Sequence, residues 1–385
     1  MSDNEYFGDA LERLEWDERK EEETPHKKLR QVTRRTALSG GAAAIGAMIL
    51  EACGSSSKST TTAQASGGGS AASGIFGVSK SYKFTLVNHV TTNTFFTPTQ
   101  NGAADACKLL GCSYQWTGSQ TSNVSEMVNA MNSAISAGVN GIGVALVDLH
   151  AFNAPTQSAL GKGIPVVSYN ADAVNSKTGA ILNPRLAYIG QDLFVSGQKM
   201  GEHIASLVPS GDVALFIATP GSLNIQPRID GALDTLKSHS GITTHVVATG
   251  AAIPAEKNVI DSYITGHPST KGMFAVDAGS TQGVAQAIQT HNLKGKVKGG
   301  GYDLTPITQN LLAGGYIQFT IDQQPYLQGF LPILQLYLYN VSQTLTGMAD
   351  VNTGLKFLDS TTVKPYNSTK SRFEGTSTSA GVQKA

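Results

Sequence analysis

The chain has 385 residues and is electrically balanced, with 28 lysines and arginines against 28 aspartates and glutamates. No basic stripe appears beyond the first 35 residues, which excludes nucleic acid as a partner, because neutralising phosphates drives that binding. Past the N-terminal region no segment approaches 18 continuous apolar residues, so the main part of the chain is expected to be soluble.

The first recognisable element is an export signal over residues 1–52. Arg34-Arg35 precede an apolar run at 37–50 that is interrupted by Gly40, Gly41 and Gly46, and Leu50-Glu51-Ala52-Cys53 follows. That run is too short and too weakly apolar to span ~30 Å of hydrocarbon. Paired arginines before a mild apolar run read as twin-arginine export, with Cys53 as a lipoprotein acceptor. Glu51 is unusual in such a site. The alternative, a buried core helix, would have to pack beside the dense charge of the first 35 residues. Residues 53–80 then form a tether. Positions 54–74 are Gly, Ser, Thr and Ala apart from Lys58 and Gln64. Such composition cannot bury enough apolar surface to order itself, and it reaches on the order of 25 Å as a coil.

From residue 83 strand-like and helix-like segments alternate. A strand at 83–90 (KFTLVNHV) leads into a helix at 97–110, and Gly111 is a natural left-handed terminus. Cys107 and Cys112 then occupy the contact positions of a Schellman ending. The geometry permits a disulfide, which an exported location allows, or equally two small reduced hydrophobes. After a short strand at 114–117, Asn123 caps a helix with Glu126 as the reciprocal capping residue. Val124, Met127, Val128, Met131 and Ile135 form its apolar face. The runs 141–147 and 164–169 are near-continuously apolar, as in strands buried on both faces. Similar runs recur at 213–218, 243–248, 273–276, 297–302 and 316–321, with helical stretches between them. Parallel strands with crossover helices give doubly wound α/β layers, and this many strands suit two lobes better than one sheet. A ligand would sit at the carboxyl ends of the strands, in the cleft between the lobes.

Those strand ends carry a consistent chemistry. The first leads into Asn93-Thr94-Phe95-Phe96, the second ends near Trp116, and the fourth ends at Asn170 and Asp172. In the second half the ends carry Asn224 and Arg228, then Asp277, Asp303 and Gln323. Singly, each Asp or Asn is a turn former or helix cap. Together, aromatics, amides, carboxylates and one arginine suit a neutral polyhydroxylated ligand, whose apolar faces stack on rings and whose hydroxyls take planar bidentate groups.

The ordered series resembles the type I periplasmic solute-binding proteins, especially the pentose and hexose binders of ABC importers. Asn93-Thr94-Phe95-Phe96 with Gly102 downstream is similar to that family's entry to its first helix. Gly163-Ile164-Pro165-Val166-Val167 with Asn170, Arg228-Ile229-Asp230-Gly231, Asp277 after Phe274-Ala275, Gly301-Tyr302-Asp303 and Thr320-Ile321-Asp322-Gln323-Gln324-Pro325 resemble its later stations. The resemblance spans roughly residues 83–362. It implies two Rossmann-like doubly wound lobes joined by a three-segment hinge. The N-terminal lobe would be 81–186 with 324–346 and the C-terminal lobe 187–323 with 347–366, leaving 367–385 as a tail. It further implies stacking by Phe95 and Phe96, hydroxyl bridging by Arg228, and polar contacts from Asn170, Asp277, Asp303 and Gln323. The chain would be a monomer without cofactor or metal, passing a sugar or polyol to a membrane permease of an ABC importer. Three departures stand out: Asn170-Ala171 where sugar binders often have Asp-Arg, Ala145 where some have an amide, and no aromatic near Ile253-Pro254. An unpaired buried charge costs several kcal/mol, so the ligand's hydroxyl pattern must differ from that of ribose. Trp116 either replaces the missing ring surface or packs in the core.

No catalytic signature competes with this reading. The eight histidines show no helical pair at metal-ligand spacing, and no phosphate-binding glycine loop occurs. An Asp277–Asp303 acid–base pair of glycosidase type is the enzymatic alternative. The nearer rival is a binding module for a sugar-derived signal, such as autoinducer-2, that reports to a membrane sensor.

Overall fold

The computed structural model describes residues 80–176 and 178–385. The export signal, Cys53 and nearly all of the expected tether lie outside the described residues. In chain order, β1 (Lys83–Asn88) turns through a 3₁₀ turn (Thr94–Phe96) into α1 (Thr97–Leu110). Then come β2 (Ser113–Gly118), α2 (Val124–Ser136), β3 (Gly141–Val144), α3 (Asn153–Gly161), β4 (Val166–Tyr169) and β5 (Ala187–Gly190). The second lobe runs through α4 (Leu193–Leu207), β6 (Gly211–Ile217), α5 (Gln226–Leu236), β7 (Ile242–Ala248), α6 (Ile253–Gly266) and β8 (Gly272–Ala275). It continues with α7 (Ala278–Thr290), β9 (Lys298–Tyr302), α8 (Pro306–Ala313) and β10 (Phe319–Asp322). Afterwards α9 (Leu327–Val341) and β11 (Val351–Asn352) return to the first lobe, and β12 (Lys356–Leu358) crosses back. The chain closes with α10 (Lys364–Asn367), β13 (Thr369–Ser371) and β14 (Val382–Lys384).

Each lobe is one six-stranded sheet with helices on its faces, ordered β11-β5-β4-β3-β1-β2 and β12-β10-β9-β8-β6-β7. Pairing is parallel throughout except where β12 lies antiparallel to β10 at an edge. The apolar runs behave as expected of strands covered on both sides: β3, β4, β8 and β10 are buried at every residue. The 3–4 spacing in α2 places Met127, Met131 and Ile135 against the first sheet, in a core with Phe84, Leu86 and Ile333. The second sheet packs Ile260, Met273 and Val284 on one face and Leu215, Ile229 and Phe274 on the other.

The N-terminus of α2 differs from the expected capping box. Asn123 Oδ1 does accept from Glu126 N (3.1 Å), but Glu126 does not answer. The hydroxyl of Ser119 donates to Glu126 Oε2 (2.6 Å) and its oxygen takes the Asn123 N–H (3.0 Å), so Ser119 completes the circuit. Sheet pairing also relocates the crossings. β5 lies beside β4 and β11 beside β5, so the chain leaves the first lobe at Gln191 rather than near Ala187, and crosses for the third time at Thr353 rather than near Thr346. The middle crossing is at Gln323. The three crossings are tied side by side: Thr353 N donates to Gly190 O (2.9 Å), Thr353 Oγ1 to Gln323 O (2.8 Å), and Gln191 Nε2 to Gly354 O (3.0 Å).

Residues 367–385 are not a loose tail. β13 and β14 pair antiparallel, and Arg372 reaches α1, its guanidinium donating twice to Asp105 (3.0 and 2.8 Å). Asn101 Nδ2 donates to Arg372 O (3.1 Å), and Phe373 packs edge-on against Tyr326. At its start the same segment touches the second lobe through Asn367 Nδ2 and Gln309 O (3.4 Å). The terminal hairpin thus makes a fourth link between the lobes.

Candidate functional site

The carboxyl ends of the two sheets face each other across a cavity of ≈ 70 Å³. On the first-lobe side, β1 stops because Asn88 Oδ1 accepts from Val90 N (2.9 Å), an Asx turn that brings His89 to the cavity wall. Asn93 Oδ1 then accepts from Phe95 N (2.9 Å), which starts the 3₁₀ turn and sets Phe95 and Phe96 edge to face, 4.7 Å between centroids. Phe96 is buried and Phe95 half-buried, and both line the cavity. Trp116 does not. It stands behind Phe96 at 5.9 Å and near Tyr169 at 6.4 Å, with Nε1 donating to Thr91 O (3.1 Å), so it packs as a support rather than as a ring surface. Asn170 follows β4 in a left-handed conformation (φ 63°) and faces the cavity. Asp172 instead forms a bidentate pair with Arg185 (2.6 and 3.1 Å), away from the cavity wall.

The second lobe supplies Asn224, Arg228, Asp277 and Asp303. Asn224 Nδ2 meets His89 Nε2 at 3.1 Å across the cleft, and Leu223 N donates to Val147 O (3.0 Å), so the lobes touch directly. Arg228, on the first turn of α5, is 2% exposed. Nη1 donates to Val276 O (2.8 Å), Nη2 to Gln191 Oε1 (3.2 Å), and the guanidinium lies 4.1 Å from the Tyr302 ring centroid. Its Nε is buried and has no partner among the described residues. Asp277 caps α7, with Oδ1 accepting from Ser280 N (2.8 Å) and Oδ2 from Ala218 N (3.0 Å).

Asp303 (φ 73°) accepts from Gln323 Nε2 (2.7 Å), and Gln323 Oε1 accepts from Asn170 Nδ2 (3.4 Å), an amide relay that crosses the hinge. Burial pushes the Asp303 carboxyl up to about 7, against the pull of Arg228. The cavity also includes two groups that the sequence reading missed. His89 is buried, which lowers it to about 4 and keeps it neutral. Glu256, on the first turn of α6, is buried and pushed up to about 9, first by burial and then by Asp277.

Cys107 and Cys112 are free thiols and do not line the cavity. Gly111 (φ 69°) makes the left-handed ending, and Cys112 N donates to Cys107 O (3.0 Å). Among the described residues, no His, Cys, Asp and Glu group is placed to hold a metal, and no helix is long and apolar enough to cross a membrane. Two rings on one side, with a guanidinium, carboxylates and amides on the other, can sandwich a small ring and hold its hydroxyls.

Residues 84–341 match the family described as periplasmic binding protein domain. The xylose/arabinose-binding protein XylF of Sulfolobus acidocaldarius is 52% identical over 307 residues, covering 77% of this chain and 76% of that one. A D-ribose/D-allose-binding protein of Pseudomonas aeruginosa is 23% identical over 252 residues, covering 63% of this chain and 76% of the relative. Among solved structures, an ABC transporter solute-binding protein from Burkholderia graminis in complex with D-arabinose shares 25% identity, with a TM-score of 0.68 over 74% of this chain and 98% of that one.

Proposed function

The chain belongs to the periplasmic binding proteins, and we propose that it captures a pentose of the xylose and arabinose class between its lobes and delivers it to the permease of an ABC importer. The observation that carries this reading is the interlobe cavity, with Phe95 and Phe96 on one wall and Arg228, Asp277 and Asp303 on the other. The 52% identity to a xylose/arabinose-binding protein supports the pentose over a hexose. In this reading the two rings stack on the sugar's apolar faces. Arg228 bridges hydroxyls, and Asn93, Asn170, Asn224, Asp277, Asp303 and Gln323 complete the polar shell. Trp116 acts indirectly, by backing Phe96. One sugar shifts the open–closed equilibrium because the closed form alone offers both walls. The closed form then docks on the permease, while lipidation at Cys53 keeps the protein on the outer side of the membrane.

The test is thermal unfolding of residues 81–385 against a panel of pentoses, hexoses, polyols and inositols. A sugar at about a thousandfold its dissociation constant adds ~4 kcal/mol, a rise of several degrees. A selective rise with xylose or arabinose is expected; a flat panel on folded, ligand-free protein overturns the reading. Cys53→Ala should move the exported protein from the membrane to the soluble fraction.

A further inference from the structure

Of the three carboxylates around the cavity, Asp277 and Asp303 stand just beyond strand ends, whereas Glu256 comes from the first turn of α6. Its carboxyl is packed onto the start of α7. Ser280 Oγ donates to Oε2 (2.8 Å), and Thr249 Oγ1 lies 2.8 Å from that same hydroxyl. A Cβ at Gly279 would fall 2.3 Å from Oε1 and 2.5 Å from Oε2, so the missing side chain at 279 is what admits the carboxyl. Glu256 and Asp277 converge on Ser280, whose hydroxyl donates to Glu256 Oε2 while its N–H donates to Asp277 Oδ1 (2.8 Å each). Asp277 already accepts two backbone N–H bonds, from Ala218 and Ser280. Two carboxyls held against one residue, one buried and one half-buried, resist ionising together, so one of them keeps a proton.

We propose that Glu256 is a specificity-determining residue of the sugar site, a neutral carboxylic acid that shares its proton with Asp277, so that this part of the wall offers the ligand one delocalised negative charge rather than two. The proposal rests on the sugar-binding reading above. The groups that face Glu256 give a second charge little compensation. On its own helix, Lys257 is engaged with Asp261, which also meets His291. From α7 comes Asp277, of like charge, while the ends of β6 and β7 offer Ala218 and Thr249. On the same wall stand Asp303 and Arg228, which is already committed to Val276 O and Gln191, and across the cavity stands neutral His89. Ionisation of Glu256, whose proton burial and Asp277 hold to about pH 9, would therefore force the two carboxylates apart and spoil the hydroxyl-binding wall.

The test is calorimetric titration of the full chain with xylose and with arabinose at about pH 7 and about pH 10, in the wild type and in Glu256→Gln. Glutamine keeps the shape and offers Asp277 a donor that never ionises. The dissociation constant of the wild type should rise about tenfold or more between the two pH values, and that of the variant should stay within about twofold. Equal ratios in the two proteins overturn the proposal. Binding of neither sugar by the wild type at neutral pH overturns the sugar reading itself, which is a different failure. A ligand-free readout is the infrared carbonyl band of a protonated carboxyl at neutral pH: its presence in the wild type and weakening in Glu256→Gln supports the proposal, and identical bands overturn it.

Discussion

The first lobe meets the cavity with His89, Asn93, Phe95, Phe96 and Asn170, while the second meets it with Arg228, Glu256, Asp277 and Asp303. One wall is aromatic and uncharged, His89 being held neutral by burial; the other holds the charge. The difference follows from local structure. The first wall hangs on an Asx turn and a 3₁₀ turn that project rings, whereas the second uses the beginnings of α5, α6 and α7, where orphan N–H groups favour carboxylates. It also bears on motion. Among the described residues no ion pair crosses the cleft. The cross-cleft contacts are His89 with Asn224, Leu223 with Val147, and Ser176 with Asp230. Opening therefore separates no buried ion pair, a step that would cost several kcal/mol.

The contrast can be broken by disabling each wall in turn. Arg228→Ala should have the largest effect, weakening sugar binding by roughly 2–5 kcal/mol in calorimetry; unchanged affinity would remove Arg228 from the site. Arg228→Lys should not rescue it, because an ammonium cannot reproduce the planar fork that reaches Val276 O and Gln191. Next, Phe95→Ala should cost about 1.5–3 kcal/mol of affinity, with little change in melting temperature because this ring is half-buried. Retained affinity would show that the first wall does not stack on the ligand.

A smaller effect concerns pH. Burial raises Asp303 from 3.8 to about 7, so between those values the folded chain holds a proton that the unfolded chain has released. Its contribution to stability is full below 3.8 and is lost as pH rises through about 7. Glu374, also raised by burial to about 7, adds to the same window. The melting temperature should therefore fall from about pH 5 to pH 8, and less steeply in Asp303→Asn; equal slopes would mean that Asp303 is already ionised. The smallest effect belongs off both walls. Arg372→Ala should cost about 0.5–1 kcal/mol of stability, measured by denaturant unfolding, and leave sugar affinity unchanged. A change in affinity would show that the terminal hairpin bears on the cleft.

What was legible in the sequence was what the strand periodicity delivers. An apolar run ends, a polar residue follows, and topology sends it to the cleft, which located Asn170, Asp277, Asp303 and Gln323. Glu256 escaped because it stands one turn into a helix, where an acidic residue after Pro254 looks like ordinary N-terminal chemistry. The signal that could have found it is Gly279, a glycine at the second position of α7 with no turn to make. His89 was absorbed into the strand assigned over 83–90, which in fact stops at Asn88 when the Asx turn takes over. β5 and β11 are too short to show any period, so two of the three crossings were placed early, by four and by seven residues. The Ser-, Thr- and Gly-rich terminal segment resembled the tether in composition, and what orders it is Arg372 finding Asp105, a partner 267 residues away.

The first sheet takes its edge strand from Val351–Asn352 and one of its covering helices from Leu327–Val341, after the whole second sheet but β12 has passed. A ribosome that has released the first 190 residues has therefore made five of six strands of a layer that it cannot yet finish. Neither lobe can be excised as a continuous stretch of chain, and the half-made first sheet must wait, with its β5 edge and one face uncovered, until nearly all of the protein has been synthesised.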